Sequence, residues 1–275
     1  MPLKVRGTTA QFTVVKLLGK TDTFNLYLCK AEGDDRQCIL KIAASAAQNP
    51  LLDREAFLLR SLRLRAEELE AAYARVKKGD GMLNYQLLFP EVVDSFIVEE
   101  QGGRRVNILR FEAIDDVGEL VPIGHITSRD RVRVDPRTSA WIMGKVLKAL
   151  AFFHAEGISI DRLTGENILI ERKQHYVVFF DWTNATQVPE EVTSDVAMEE
   201  ISKATREVII VLGGNPILGT LPKDAQLEDD RYAAMLHSLA SGGYSDAGEA
   251  HAEFYKLIRA LWPRAYHHYT SYPLN

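Results

Sequence analysis

Lys41, Glu55, Asn167 and Asp181 are chemically useful side chains in surroundings that make them costly unless each finds a partner. Lys41 lies in the apolar run Cys38-Ile39-Leu40-Lys41-Ile42-Ala43, where an unpaired ammonium is out of place. Glu55 falls on a stripe with Leu59, Leu62, Ala66, Leu69, Tyr73 and Val76, whose spacing of three and four marks the core-facing side of a helix. An ion pair between the two resolves both difficulties, and breaking such a buried pair costs about 3–5 kcal/mol. The bland alternative sends each to water separately, Lys41 from an edge strand and Glu55 from a helix flank. Asn167 and Asp181 bracket a hairpin, Ile168-Leu169-Ile170 and Tyr176 to Phe180, whose antiparallel pairing brings positions 167 and 181 to the same open end. A carboxylate and an amide oxygen converging there suit magnesium, with phosphates completing its shell. Two hairpin-end residues capping turns are the structural alternative.

The elements that must position these groups are legible from pattern. Short apolar or alternating runs at Phe12 to Leu18, Phe24 to Lys30 and Gln37 to Ala43, separated by turn residues, predict three antiparallel strands. Asn49-Pro50 reads as a cap with proline in the first turn, and Lys77-Lys78-Gly79 as a stop. The helix between them has a weak point near Ser61, where it could break. Val92 to Val98 and Val106 to Phe111 predict two further strands. Asp135-Pro136 opens a helix running to His154 and ended by Gly157, and helical patterns recur at Ala197 to Leu212, Arg231 to Leu239 and Gly248 to Leu261. The pattern changes after Asp115-Asp116, which divides the chain into 1–116 and 117–275 and makes it an α+β protein of two lobes.

Composition bounds the rest. With 275 residues, 46% hydrophobic and 26% charged, the chain is long and apolar enough for a large core. A formal net charge of −5 offers no general attraction to nucleic acid or anionic lipid. The first residues contain no apolar leader, and no stretch approaches a bilayer span, so we expect a soluble cytoplasmic protein. Cys29 and Cys38 are too few for a thiolate zinc site, and are expected opposite each other as reduced apolar fillers. The arginines from Arg129 to Arg137 alternate with Asp130 and Asp135, which reads as a solvated, self-compensating charge run. His267-His268 with Tyr266, Tyr269 and Tyr272 reads as a packed tail.

Leu40-Lys41-Ile42, Arg54-Glu55-Ala56, Phe153-His154-Ala155-Glu156-Gly157-Ile158, Glu166-Asn167-Ile168-Leu169-Ile170 and Phe180-Asp181-Trp182, in that order, resemble the protein-kinase superfamily in its small bacterial form. The resemblance covers roughly residues 12 to 215. It implies a two-lobed fold with a β-rich first lobe and a mainly helical second, and ATP with magnesium as cofactors. Lys41 would contact the α- and β-phosphates while Glu55 holds it. Asn167 and Asp181 would bind magnesium, Gly19 would remain from the glycine-rich loop, and Leu26 and Ile39 would flank the adenine. His154 would pack rather than react.

The departures are as informative. Thr21 and Phe24 stand at the second and third glycines of the phosphate loop, which puts close backbone approach in doubt. In Ile160-Asp161-Arg162-Leu163-Thr164-Gly165-Glu166-Asn167, Arg162 occupies the position of the catalytic aspartate, and a guanidinium cannot accept a proton from a substrate. Trp182-Thr183 follows Asp181 in place of phenylalanine and glycine, the run to Asp195 is short for an activation segment, and Val188-Pro189-Glu190 only echoes its closing motif. The expectation is a pseudokinase that binds ATP and engages a protein partner. The alternatives are an active protein kinase, or a small-molecule phosphotransferase, with Asp161 as a displaced base.

Overall fold

Six strands of alternating or continuous apolar residues build the first sheet: β1 (Lys4–Arg6), β2 (Gln11–Lys20), β3 (Phe24–Ala31), β4 (Gln37–Ala43), β5 (Glu91–Val98) and β6 (Arg104–Arg110). In this computed structural model, which describes residues 4–77, 82–222, 230–263 and 267–274, they run antiparallel in the order β1-β2-β3-β4-β6-β5. Register shifts between Val14 and Lys16 and between Leu17 and Gly19 bulge β2 and increase its twist. The turn from β5 to β6 passes through Gly102 and Gly103 at φ 75° and 68°, a left-handed path that glycine takes without strain.

Helix α1 (Asn49–Val76) lies on this sheet against β4, β5 and β6. It is one unbroken helix of 28 residues, so no break occurs at Ser61, whose hydroxyl bonds the Phe57 carbonyl one turn back. Asn49 does not cap it. Its side chain instead ties the start of α1 to the β5–β6 turn, donating to Gly103 O and accepting from Arg105 N. The buried stripe runs through Leu52, Glu55, Leu59, Leu62 and Ala66 and then leaves the sheet: Leu69 and Tyr73 are half-buried and Val76 is 84% exposed. Lys78-Gly79, read as the helix stop, lie outside the described residues.

The remaining elements are β7 (Leu120–Pro122), α2 (Ile123–Ser128), β8 (Val132–Val134), α3 (Pro136–Ala155), β9 (Ile158–Ser159), β10 (Ile168–Glu171), β11 (Tyr176–Phe179), β12 (Thr186–Gln187), α4 (Ser194–Val211), α5 (Arg231–Ala240), α6 (Ala247–Leu261) and β13 (Ser271–Pro273). Helix α3 is central, with α4 and α6 packed on it. Asp135 caps it by accepting from Thr138 N at 2.9 Å. Its far end turns through Gly157 at φ 69°, where a Cβ would collide with the carbonyls of Val188 and Glu190. By contacts the chain divides into two units, one extending to Glu119 and including Asp181–Asn184, the other comprising Leu120–Phe180 and the chain from Ala185 on.

Part of the charge run at 129–137 is not solvated. Arg133 sits buried in β8 with its guanidinium over the Tyr272 ring at 5.1 Å, because β13 pairs with β8 and covers it. His267 Nε2 reaches Asp135 Oδ2 at 2.9 Å, so the tail does pack. Cys29 and Cys38 face each other across β3 and β4, both buried and unlinked. Burial, with Cys38 opposite, pushes the Cys29 thiol up to about 12. Neither cysteine should therefore react with Ellman's reagent in the native protein, and both should react on unfolding in urea. Rapid native labelling would show that the β3–β4 hairpin opens.

Candidate functional site

Lys41 and Glu55 meet. Register places Lys41 of β4 between Leu26 of β3 and Asn107 of β6, with its side chain on the α1 face, and Nζ lies 2.6 Å from Glu55 Oε1. Both side chains are fully buried. The same ammonium lies 2.8 Å from Asp181 Oδ1, on the segment that returns to the first unit. Glu55 is further held by Asn107 Nδ2 at 3.0 Å and by the Trp182 amide at 3.2 Å. Asp181 Oδ1 also accepts from the Thr183 amide and hydroxyl, at 3.2 and 2.8 Å. Trp182 is buried edge-on to Phe89, which fixes the segment carrying Asp181.

Electrostatics follow from this arrangement. Burial by itself would lower the Lys41 pKa, but Glu55 and Asp181 outweigh it and hold the amine charged. Burial pushes Glu55 up, with Lys41 and Asn107 pulling against it. At Asp181 burial is outweighed by Lys41 and Thr183, and the carboxyl is held below its usual range. With both carboxylates ionised, two negative charges surround one positive charge, and the excess is what a divalent cation would offset.

The other expected residues sit as follows. Gly19 of β2 is opposite Leu26, and a Cβ built on it would meet nothing within 4 Å, so the space above it is open. Leu26 is half-buried, whereas Ile39 is buried opposite Leu28. In the second unit Asn167 is buried at the root of the β10–β11 hairpin, opposite Phe180. Its Nδ2 donates to Arg162 O at 3.2 Å and its Oδ1 accepts from Phe180 N at 3.2 Å. Asp161 and Arg162 are both exposed. Asp161 has φ 60°, and Arg162 N bonds Ile160 O at 2.6 Å, which makes a strained γ-turn centred on Asp161.

That turn is anchored from below by Glu200 of α4. Its buried carboxylate takes His154 Nε2 at 2.7 Å, Ser159 Oγ at 2.8 Å and the Asp161 amide at 2.6 Å. Sequence reading assigned no role to Glu200, Asn107 or Thr183, although two of them carried the signal that betrayed Glu55 and Lys41. Glu200 stands on the buried stripe Ala197, Ile201, Ala204 and Val208, and Asn107 interrupts the apolar run Val106 to Leu109.

No protein-family model matches this chain, and no curated protein matches it in sequence. Solved structures do. A doubly substituted form of the PknI kinase domain of Mycobacterium tuberculosis is similar over 92% of this chain and 96% of its own, at 16% identity and TM-score 0.54. Vaccinia related kinase 3 is similar over 94% and 91%, at 11% identity and TM-score 0.64, and the BubR1 kinase domain over 94% and 83%, at 11% identity and TM-score 0.58.

The chain has a protein-kinase-like fold. Within this kinase-like frame the six-stranded sheet with α1 is the β-rich part and the α3-centred unit the helical part, the α+β arrangement expected. Among the described residues no helix is long and apolar enough to cross a membrane, and no cluster of three or more His, Cys, Asp or Glu could hold a metal. A magnesium site here would have to be completed by phosphate oxygens. Lys41→Met should destabilise the protein by about 3–5 kcal/mol in urea unfolding, because it strands the fully buried Glu55 carboxylate and leaves the half-buried Asp181 without its cation. Adding Glu55→Gln should recover part of that loss, and strict additivity of the two would show that the pair is not coupled.

Proposed function

We propose that this kinase-like chain is a pseudokinase: a module that takes Mg·ATP at Lys41 and Asp181 and acts by engaging a protein partner rather than by transferring phosphate. The observation that carries the reading is the loop Ile160-Asp161-Arg162, where an arginine that cannot accept a proton stands at the base position and the backbone is pinned by Glu200. Losing a general base typically costs about 10²–10⁴ in rate, while positioning and charge neutralisation carry much of phosphoryl transfer. Feeble transfer on a retained nucleotide site is the expected outcome.

Support for the nucleotide comes from the charge of the site. A buried ammonium aimed by Glu55 suits a phosphate, and the surplus carboxylate at Asp181 would hold magnesium, which would supply charge neutralisation for the phosphates. Leu26 and Ile39 remain the expected adenine neighbours and Asn167 the expected second magnesium ligand, on the strength of the sequence resemblance alone. The run from Asp181 to the start of α4 at Ser194 is short and gives little docking surface for a protein substrate.

One observation favours the second reading, an active kinase or small-molecule phosphotransferase with Asp161 as base. Asp161 lies one position farther from Asn167 than the usual base, so its use requires a local irregularity, and the γ-turn at φ 60° is such an irregularity.

Millimolar ATP with magnesium should raise the melting temperature, and Lys41→Ala and Asp181→Ala should each remove most of the rise. An unchanged melting curve for the wild type would leave a fold without a nucleotide. Wild type and Asp161→Ala should show equally negligible phosphotransfer to generic protein substrate or to the chain itself, and Arg162→Asp should recover some. Robust wild-type transfer that disappears in Asp161→Ala would make Asp161 the base.

A further inference from the structure

By the sequence resemblance Phe24 stands at the third glycine position of the phosphate loop, and its ring lies over Lys41. Its centroid lies 3.9 Å from Lys41 Nζ, and the side chain is buried against Ala43 and Leu52. The Lys41 side chain is left with no exposure at all, with Glu55 at 2.6 Å, Asp181 at 2.8 Å and the face of Phe24 closing it in. The negative face of an aromatic ring attracts an ammonium, so the ring substitutes for an anion there.

The placement is built into the backbone. Thr21 grips Phe24 from both sides: its hydroxyl accepts from Phe24 N and donates to Phe24 O, each at 3.0 Å, and its amide donates to Phe24 O at 2.9 Å. Phe24 then enters β3 opposite Ala43, which directs its side chain to the same face as Lys41. The two residues that replaced glycines thus act as a pair, Thr21 as clamp and Phe24 as occupant. By contrast, the space over Gly19 is open, so the obstruction is confined to the lysine end of the loop.

We infer that Phe24 is a resident competitor for Lys41 that makes the site discriminate against the phosphates of a nucleotide. A nucleoside gains as much from the site as its triphosphate does until the ring swings away. Binding of ATP then draws on the minor open population, and its apparent affinity is reduced by that fraction. This rests on the reading of Lys41 and Asp181 as a nucleotide site.

Calorimetric titration of Mg·ATP and of adenosine into the wild type, Phe24→Gly, Phe24→Leu and Phe24→Gly/Lys41→Ala tests it. Phe24→Gly should bind Mg·ATP about 10- to 100-fold more tightly than the wild type, the gain expected when a competent state populated at a few per cent becomes the main one. Its adenosine affinity should stay unchanged, and the gain should vanish when Lys41 is also removed. Phe24→Leu keeps apolar packing on Ala43 and Leu52 without a ring face, and carries the test with a smaller gain in the same direction if Phe24→Gly does not fold. Equal Mg·ATP affinity in all the single variants and the wild type overturns the competitor while leaving the nucleotide reading intact. An equal gain for adenosine also overturns it, since the ring would then block the base rather than the phosphates. Absence of any nucleotide binding in every protein overturns both.

Discussion

A buried ammonium between two carboxylates is the constraint on which the first unit depends. Lys41 on β4, Glu55 on α1 and Asp181 on the returning segment come from three stretches of chain far apart in sequence. Neither Lys41 nor Glu55 tolerates its burial without a partner, because an uncompensated charge in such surroundings costs several kcal/mol. The pair fixes which face α1 presents to the sheet, and Asn107 and the Trp182 amide give Glu55 two further hydrogen bonds. Asn49, bonding the β5–β6 turn rather than capping its own helix, holds the start of α1 so that Glu55 arrives at Lys41.

The second unit has a comparable constraint in Glu200. One buried carboxylate collects a histidine, a serine hydroxyl and a backbone amide, and so ties α3, the end of β9 and the loop at Asp161 to α4. The strained turn at Asp161 persists because this anchor over-determines it. In a catalytic loop such strain would aim a reacting group. Here it presents two exposed side chains, Asp161 and Arg162, of which the sequence resemblance aligns the arginine with the proton acceptor.

The legible parts of the sequence were those where a local pattern and a long-range need coincide. Lys41 among apolar neighbours and Glu55 on an apolar stripe each called for a partner, and opposite charge made each the obvious partner of the other. The main strands and helices were visible because their periods run for several repeats. Strands β1, β7, β8, β9, β12 and β13 were not, since two or three residues cannot establish an alternation and only pairing with another strand makes them strands. The stripe on α1 overran the sheet at Ala66 because sequence shows periodicity but not where the facing layer ends. Arg133 was read as solvated for the same reason: the residue that covers it, Tyr272, is remote in the chain. Phe24 was visible as a lost glycine, yet the destination of its ring depends on the Thr21 clamp and on Leu52, which no local pattern reports.

The energetics of the cluster bear on why it is there at all. Replacing a buried ion pair or triad by well-packed apolar residues of similar volume is often neutral or stabilising by about 1–4 kcal/mol, so charges are a poor choice for a purely structural core. The surroundings of Lys41 already include the Phe24 ring and its strand partner Leu26, to which a methionine would be the natural addition. A chain that instead keeps an ammonium, two carboxylates and the amide of Asn107 in register fits the nucleotide site proposed above. The sequence resemblance aligns Arg162 with the proton acceptor, and Phe24 lies over the lysine. Under the proposed reading, charge kept for a ligand, with the base lost and access restricted, is the combination expected of a module whose nucleotide reports or stabilises a conformation instead of being consumed.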